Sequence, residues 1–340
     1  MGRRDAAALR AEPATVLHPP PLGFTCQPMR IIRDYQYVEE QDRGACVAIG
    51  NFDGVHLGHQ AVIDLAREAA DQVGAPLGVL TFEPHPRQYF APEAPPFRLM
   101  GREARASRLA KLGVDRLYEL NFNAALASLT PRDFVERVIA RGLGLRHVVV
   151  GQDFHFGKGR AGSATGLAAM GAELGFGVTL APLLETGGGV ISSTAIREAL
   201  SEGRPREAAA KLGHWHRIEG PVIGGEQRGR ELGYPTANMS IDGLHPPKHG
   251  VYAVLVDVQD GPHKGSYHGA ASLGVRPMFG QNRANLETFL FDFTGDLYGA
   301  TLSVALVEFL RPEEKFDSLE ALIAQMEDDC ARARRILAET

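Results

Sequence analysis

The first part of this chain alternates between two periodicities. Short apolar runs at 45–50, 76–82, 115–120, 146–151 and 177–182 predict buried strands. Between them, stretches at 58–73, 101–112, 131–141, 163–175 and 193–202 return apolar residues every three or four positions and predict helices. In the first of these, Val62, Leu65, Ala66 and Ala69 fall on one face. Strand–helix alternation predicts an α/β unit, a parallel sheet with helices on both faces. The rhythm changes near Gly203-Arg204-Pro205. After a short helix through Lys211, the segments at Val222, Val251–Val258, Tyr267–Ser272, Leu286–Phe293 and Thr301–Leu310 predict strands without intervening long helices, as in a small antiparallel barrel. Asp317-Ser318-Leu319-Glu320 reads as a capping box opening a last helix, with Leu319, Leu322, Ile323 and Met326 as its apolar face. Two domains are expected, at 29–210 and 211–340, with the boundary between about 203 and 214.

A chain of 340 residues is long enough for two cores. Residues 1–28 differ from the rest. They start Ala- and Arg-rich, lack an apolar secretory segment, and contain His18-Pro19-Pro20-Pro21, so a disordered extension is expected. No apolar run approaches the length of a membrane span. The formal net charge of −5 argues against non-specific nucleic-acid binding. Cys26, Cys46 and Cys330 are odd in number and scattered, which suggests a reducing, cytoplasmic setting with neither a disulfide framework nor a cysteine metal site.

Candidate chemistry clusters in a few strings. Ala48 to Gln60 reads A-I-G-N-F-D-G-V-H-L-G-H-Q. Gly50 and the Asp53-Gly54 pair turn the chain after a strand, a helix begins near Gly58, and His56 and His59 stand where free N–H groups favour an anion such as a polyphosphate. Phe52 lies within the same turn. Thr81-Phe82-Glu83-Pro84-His85-Pro86 follows a strand; by local physics it is a rigid loop with an incidental histidine. After the run ending at Gly151, Asp153, Phe154 and Phe156 offer aromatic faces and a carboxylate to a planar ring, or else plain core residues. Ser192, Ser193 and Thr194 open a helix with Arg197 one turn in, either a simple cap or an anion site. Gly224 to Asn238 reads G-G-E-Q-R-G-R-E-L-G-Y-P-T-A-N; Gly229 and Gly233 suit phosphate wrapping, and Thr236 and Asn238 face one side of an extended backbone, as a Mg²⁺ site needs. Glu287 alternates with Leu286 and Leu290 on a strand, where a solvated glutamate is the ordinary outcome. His214/His216 and His245/His249 have ligand-like spacings, but Pro246 and Pro247 bar the helix that would bring the second pair together.

Taken together, these strings resemble the bacterial bifunctional riboflavin kinase/FMN adenylyltransferases, or FAD synthetases, over residues 29 to 336. Met29-Arg30-Ile31-Ile32 resembles the family's start, which makes Met29 a second candidate for the first residue. The resemblance implies a Rossmann-like nucleotidyltransferase domain with an H-x-G-H turn, followed by a riboflavin kinase barrel and a C-terminal helix. It implies ATP-binding roles for Gly50, Phe52, Asp53, Gly54, His56, Gly58, His59, Ser192, Ser193, Thr194 and Arg197 in the first domain, and for Gly229, Gly233, Thr236 and Asn238 in the second. It implies flavin-binding roles for Pro84, His85, Pro86, Asp153, Phe154, Phe156 and Glu287, with Mg²⁺ at Thr236 and Asn238. His56, His59 and Arg197 become catalytic candidates, and Glu287 the kinase base.

The chemistry fits that division. The phosphate of FMN is already ionised at neutral pH, so adenylylation needs alignment and charge neutralisation rather than a strong base. Riboflavin's 5′-hydroxyl is neutral, so its phosphorylation needs a proton acceptor. Expected partners are ATP, riboflavin and FMN, with no nucleic acid or membrane; self-association stays open. The loop Gly274 to Phe279 departs from the family pattern at Met278, where a threonine is usual. Two alternatives remain: a single-activity enzyme with one degenerate domain, and a flavin-binding regulator without turnover.

Overall fold

The computed structural model describes residues 28–186, 189–224, 234–278 and 281–340. The expected extension at 1–28 lies almost wholly outside these residues, as do Gly229, Gly233 and the side chain of Met278. The first domain is a sheet of six parallel strands: β1 (Arg30–Ile32), β2 (Cys46–Ile49), β3 (Leu77–Glu83), β4 (Arg116–Asn121), β5 (His147–Gly151) and β6 (Gly177–Ala181). Their order is β1-β4-β3-β2-β5-β6. Every residue of β2 is buried, as a strand covered on both faces must be. Cys46 and Ala48 face one core together with Ile63, Ala66 and Ala70 of α1 (Leu57–Val73). Val47 and Ile49 face the other, filled by α3 (Phe134–Gly142) and α4 (Ala164–Leu174). Between α1 and α3 runs α2 (Arg102–Lys111). The strand order runs outward from β2 through β3 and β4 on one side and through β5 on the other, so β2 and β5 form the switch point. The crevice beyond the carboxyl ends of those strands is where an open α/β sheet takes its ligand.

Two helices, α5 (Ser193–Ser201) and α6 (Pro205–Leu212), lead out of this domain. Ile196, Ala199, Leu200, Ala208 and Leu212 close a small core with Leu99. The second domain is a nearly closed barrel of six antiparallel strands: β7 (Arg217–Pro221), β8 (Thr236–Ser240), β9 (Gly250–Val258), β10 (Gly265–Met278), β11 (Gln281–Leu290) and β12 (Thr301–Arg311). The order is β7-β12-β9-β10-β11-β8, and a bridge between Ile223 and Asn238 draws the two edges together. The last helix, α7 (Leu319–Leu337), packs Ala333 and Leu337 on Phe291, Val307 and Leu310.

Three local expectations are corrected. The strand expected at 286–293 is instead Gln281–Leu290: Asp292 takes φ 57° and turns the chain, although Phe291 and Phe293 continue the apolar alternation. Strand β1 was not expected; its three residues at the sheet edge, which open with Arg30, are too short to show a period. The cap of α7 is Ser318, whose Oγ accepts from Ala321 N, so Ala321 rather than Glu320 stands third in the helix and no reciprocal glutamate closes the box. Leu319 is correspondingly exposed.

Candidate functional site

The turn after β2 brings the first set of residues together. His56 is the N-cap of α1, and its Nδ1 accepts the His59 N–H at 3.2 Å. Its Nε2 therefore carries the proton of the neutral ring. The two imidazoles stack with centroids 3.6 Å apart. A side chain at Gly58 would meet the His56 ring at 3.2 Å, which is why the residue between them has none. Burial pulls His56 down to about 4 and holds His59 well below the ordinary imidazole value, with His56 itself adding to the effect on His59. Both rings are therefore neutral at pH 7, and His59 Nδ1 is buried without a partner among the described residues. They act as hydrogen-bonding groups, while the cations on the same wall are Arg87, Arg160 and Arg197.

Arg197 is held rather than solvated. Its Nη2 donates to Asp53 Oδ2 at 2.7 Å and its Nε to Phe97 O at 2.6 Å. Asp53 Oδ1 accepts from Leu99 N at 2.7 Å. Asp53 is thus buried and committed to orienting Arg197. Ser192 Oγ caps α5 by accepting from Ala195 N, and Ser193 Oγ donates to Asp53 O at 2.9 Å. Thr194 is exposed.

These groups line a cavity of about 1030 Å³ at the switch point, with Gly50, Phe52, His85, Pro86, Asp153, Phe154 and Phe156 among its walls. That volume matches the upper end of the range for single small-ligand sites, about 300–1,000 Å³, and suits two substrates. Phe154 and Phe156 stack at 5.6 Å, but Phe156 is also packed into the core on Phe134. Gly54 and Thr194 do not line this cavity, and neither does Pro84. Phe90, Leu183, Leu184 and Val190 leave apolar faces exposed on the same cavity. Nothing in their local spacing marks them as site residues.

Sequence reasoning also missed the support beneath the His85 loop. Glu83 ends β3 and accepts both Arg98 Nη1 (2.6 Å) and Nη2 (2.9 Å). Arg105, 1% exposed, joins Glu83 to Glu119 at 2.9 and 3.0 Å. Burial opposes the Glu83 charge, but the two guanidiniums outweigh it and hold the carboxyl below its usual range. His85 caps the short helix Pro86–Phe90, its Nδ1 accepting from Arg87 N at 3.0 Å. Burial, then Arg98, Arg105 and Arg197, bring the His85 imidazole to about 4.

In the barrel, register does the positioning. β8 pairs with β11 so that Asn238 lies opposite Glu287, and Thr236 opposite Phe289. Thr236, Asn238 and Glu287 therefore share one face of the ladder. Asn285 Nδ2 donates to Asn238 Oδ1 at 2.8 Å, while among the described residues Asn285 Oδ1 is buried without a partner. Thr236 and Asn238 line a second cavity of about 320 Å³ with Phe293, Asp296 and Tyr298. Glu287 is half-buried. Three of the four histidines with metal-like spacing turn instead to backbone carbonyls across the domain junction: His214 to Gly54, His216 to Leu99 and His245 to Arg197, at 3.1, 3.0 and 3.0 Å.

Comparison with known proteins agrees with both halves. A FAD synthetase family model matches residues 38–195, and a riboflavin kinase model residues 212–337. The bifunctional riboflavin kinase/FMN adenylyltransferase of Pseudomonas fluorescens is 43% identical over 91% of this chain and 98% of its own length. Its counterpart in Escherichia coli K12 is 37% identical over 92% and 99%, and that of Bacillus subtilis 35% identical over 90% and 97%. A crystal structure described as a macrolide-efflux protein from Streptococcus pneumoniae superposes with a TM-score of 0.78 at 32% identity, over 89% of this chain and 97% of that one. The chain belongs to the family of bifunctional riboflavin kinase/FMN adenylyltransferases, with its FAD synthetase domain first and its riboflavin kinase domain second.

Proposed function

We propose that the barrel phosphorylates riboflavin to FMN and that the α/β domain joins FMN to AMP, releasing pyrophosphate, each at the cavity described above. The observation that carries this reading is the pair of separate sites: a cavity at the switch point lined by His56, His59 and Arg197, and a cavity in the barrel lined by Thr236 and Asn238, with Glu287 outside its wall but opposite Asn238 in the ladder. At the switch point, His56 and His59 donate neutral hydrogen bonds to the ATP phosphates. Arg197, fixed by Asp53, takes the charge that grows on the leaving pyrophosphate. The flavin ring rests on the apolar side, against Phe154 and the exposed faces of Phe90 and Leu183. No group there is asked to remove a proton.

In the barrel, Glu287 accepts the proton of the 5′-hydroxyl as the oxygen attacks the terminal phosphate of ATP. The hard neutral oxygens of Thr236 and Asn238, the latter oriented by Asn285, fit Mg²⁺. Bound with ATP, that ion would neutralise phosphate charge. We place the enzyme in the cytoplasm, on its three scattered cysteines. An efflux role, by contrast, has no support from helices, since among the described residues none is long and apolar enough to cross a membrane.

The test is a chromatographic assay of the purified chain with riboflavin and ATP, with and without Mg²⁺. FMN followed by FAD, both dependent on the metal, is the expected result. FMN that never becomes FAD would leave a kinase with a degenerate first domain, and bound flavin without product would leave a regulator. Light scattering on the same sample tests self-association.

A further inference from the structure

Behind the Asp53-Gly54 turn, where the two domains meet, a cavity of about 70 Å³ lies between α2 and β7. Arg108 and Lys111, one helical turn apart on α2, face Arg217 of β7 across it. Among the described residues the Arg108 guanidinium makes no hydrogen bond and no ion pair, and its Nε is buried without a partner. Its charged neighbour is a second cation, and burial together with Arg217 lowers the Arg108 pKa. Basic residues in the last turn of a helix complement its dipole, but that role needs no buried guanidinium. Arg217 itself is paired with Asp257 at 2.8 Å, and the acid in the wall, Glu219, accepts from Ser303 Oγ at 2.8 Å.

The histidines of the junction show the same deficit of negative charge. His214 points its Nε2 at Gly54 O (3.1 Å) and its Nδ1 at Trp215 O (2.9 Å). Carbonyl oxygens only accept, so both contacts are met only by the imidazolium. Burial, then Arg108, nonetheless brings His214 to about 4, leaving one contact without its proton. His216, 3% exposed, donates from Nε2 to Leu99 O, which leaves its buried Nδ1 an acceptor with no donor among the described residues.

We propose that this cavity binds a small tetrahedral oxyanion of the phosphate class, held by Arg108, Lys111 and His214. Its volume holds about five water-sized probes, enough for one such ion. Monohydrogen phosphate meets both deficits: its charge pairs Arg108 and favours doubly protonated His214, and its hydroxyl donates to His216 Nδ1. The site lies outside both catalytic cavities and does not rest on the roles assigned there.

Two measurements on the full-length chain test it. Crystals grown with sodium tungstate should show an anomalous peak between Arg108 and Arg217; peaks confined to the catalytic cavities overturn the proposal. With both ATP sites filled by a non-hydrolysable Mg²⁺-ATP analogue, inorganic phosphate should raise the melting temperature over chloride at equal ionic strength, by about 3 °C near ten times its Kd. Arg108→Met should melt no lower than the parent in chloride, because an unpaired cation is gone, and should show no phosphate-dependent rise. Equal phosphate shifts in parent and variant, or none in either, overturn the site.

Discussion

Arg197 is held from three directions: by Asp53 at its Nη2, by Phe97 O at its Nε, and through its own carbonyl by His245 of the barrel. A side chain fixed in this way meets developing charge without reorganising, and the loss of such a donor costs roughly 10²–10³ in rate. Arg197→Ala, and likewise His59→Ala, should slow FAD formation from FMN by that factor while riboflavin phosphorylation stays near normal. Separate assays with FMN and with riboflavin as the starting flavin check this; equal losses in both would contradict separate sites. The buried imidazoles also set a pH response. His56, His85, His214 and His216 all sit near 4, below the ordinary 6.5. For a base whose pKa is depressed by folding, the unfolded chain binds more protons between those values, so stability is complete above about 6.5 and is lost as pH falls toward about 4. Charging His214 or His216 in place costs on the order of a few kcal/mol. Melting curves should show Tm falling over that window, and His216→Gln should flatten the fall. An unchanged slope in that variant would place the loss elsewhere.

At the scale of elements, the strands of the first domain were legible because a strand buried on both faces is a continuous apolar run. The H-x-G-H and S-S-T segments were legible too, because each is one turn long and carries its chemistry locally. What the sequence hid was contact at long range. Arg98 and Arg105 are two basic residues among many until folding sets both on Glu83. The pairing of Asn285 with Asn238 exists only through the register of β8 on β11. Asp53 was read as a ligand for ATP, but its two oxygens are taken by Leu99 N and Arg197. The buried network carries its own prediction. Removing one partner strands a charge, at a cost of about 3–5 kcal/mol. Arg105→Met should therefore lower Tm by several degrees, measured calorimetrically, and should impair FAD synthesis more than FMN synthesis, because the His85 loop stands on Glu83. A variant as stable as the parent would show that the network is not what holds the loop.

In the whole molecule, the core of the barrel lies within residues 218–306, and the linking helices close their own core with Leu99. A fragment of residues 214–340 keeps the barrel core whole and leaves the linking-helix core with the first domain, so it should fold and make FMN from riboflavin. A folded fragment that binds Mg²⁺-ATP and riboflavin yet makes no FMN would contradict the two-module account. The junction was not legible beforehand, since His214, His216 and His245 looked like metal-ligand spacings and turned out to reach across to Gly54, Leu99 and Arg197. The division of labour itself is tested most directly by Glu287→Gln in the full-length chain, which removes the base and nearly keeps its shape. The account predicts a loss of roughly 10²–10⁴ in FMN formation from riboflavin, with FAD formation from supplied FMN unchanged. Normal FMN formation, or a parallel loss of FAD formation from FMN, would contradict it.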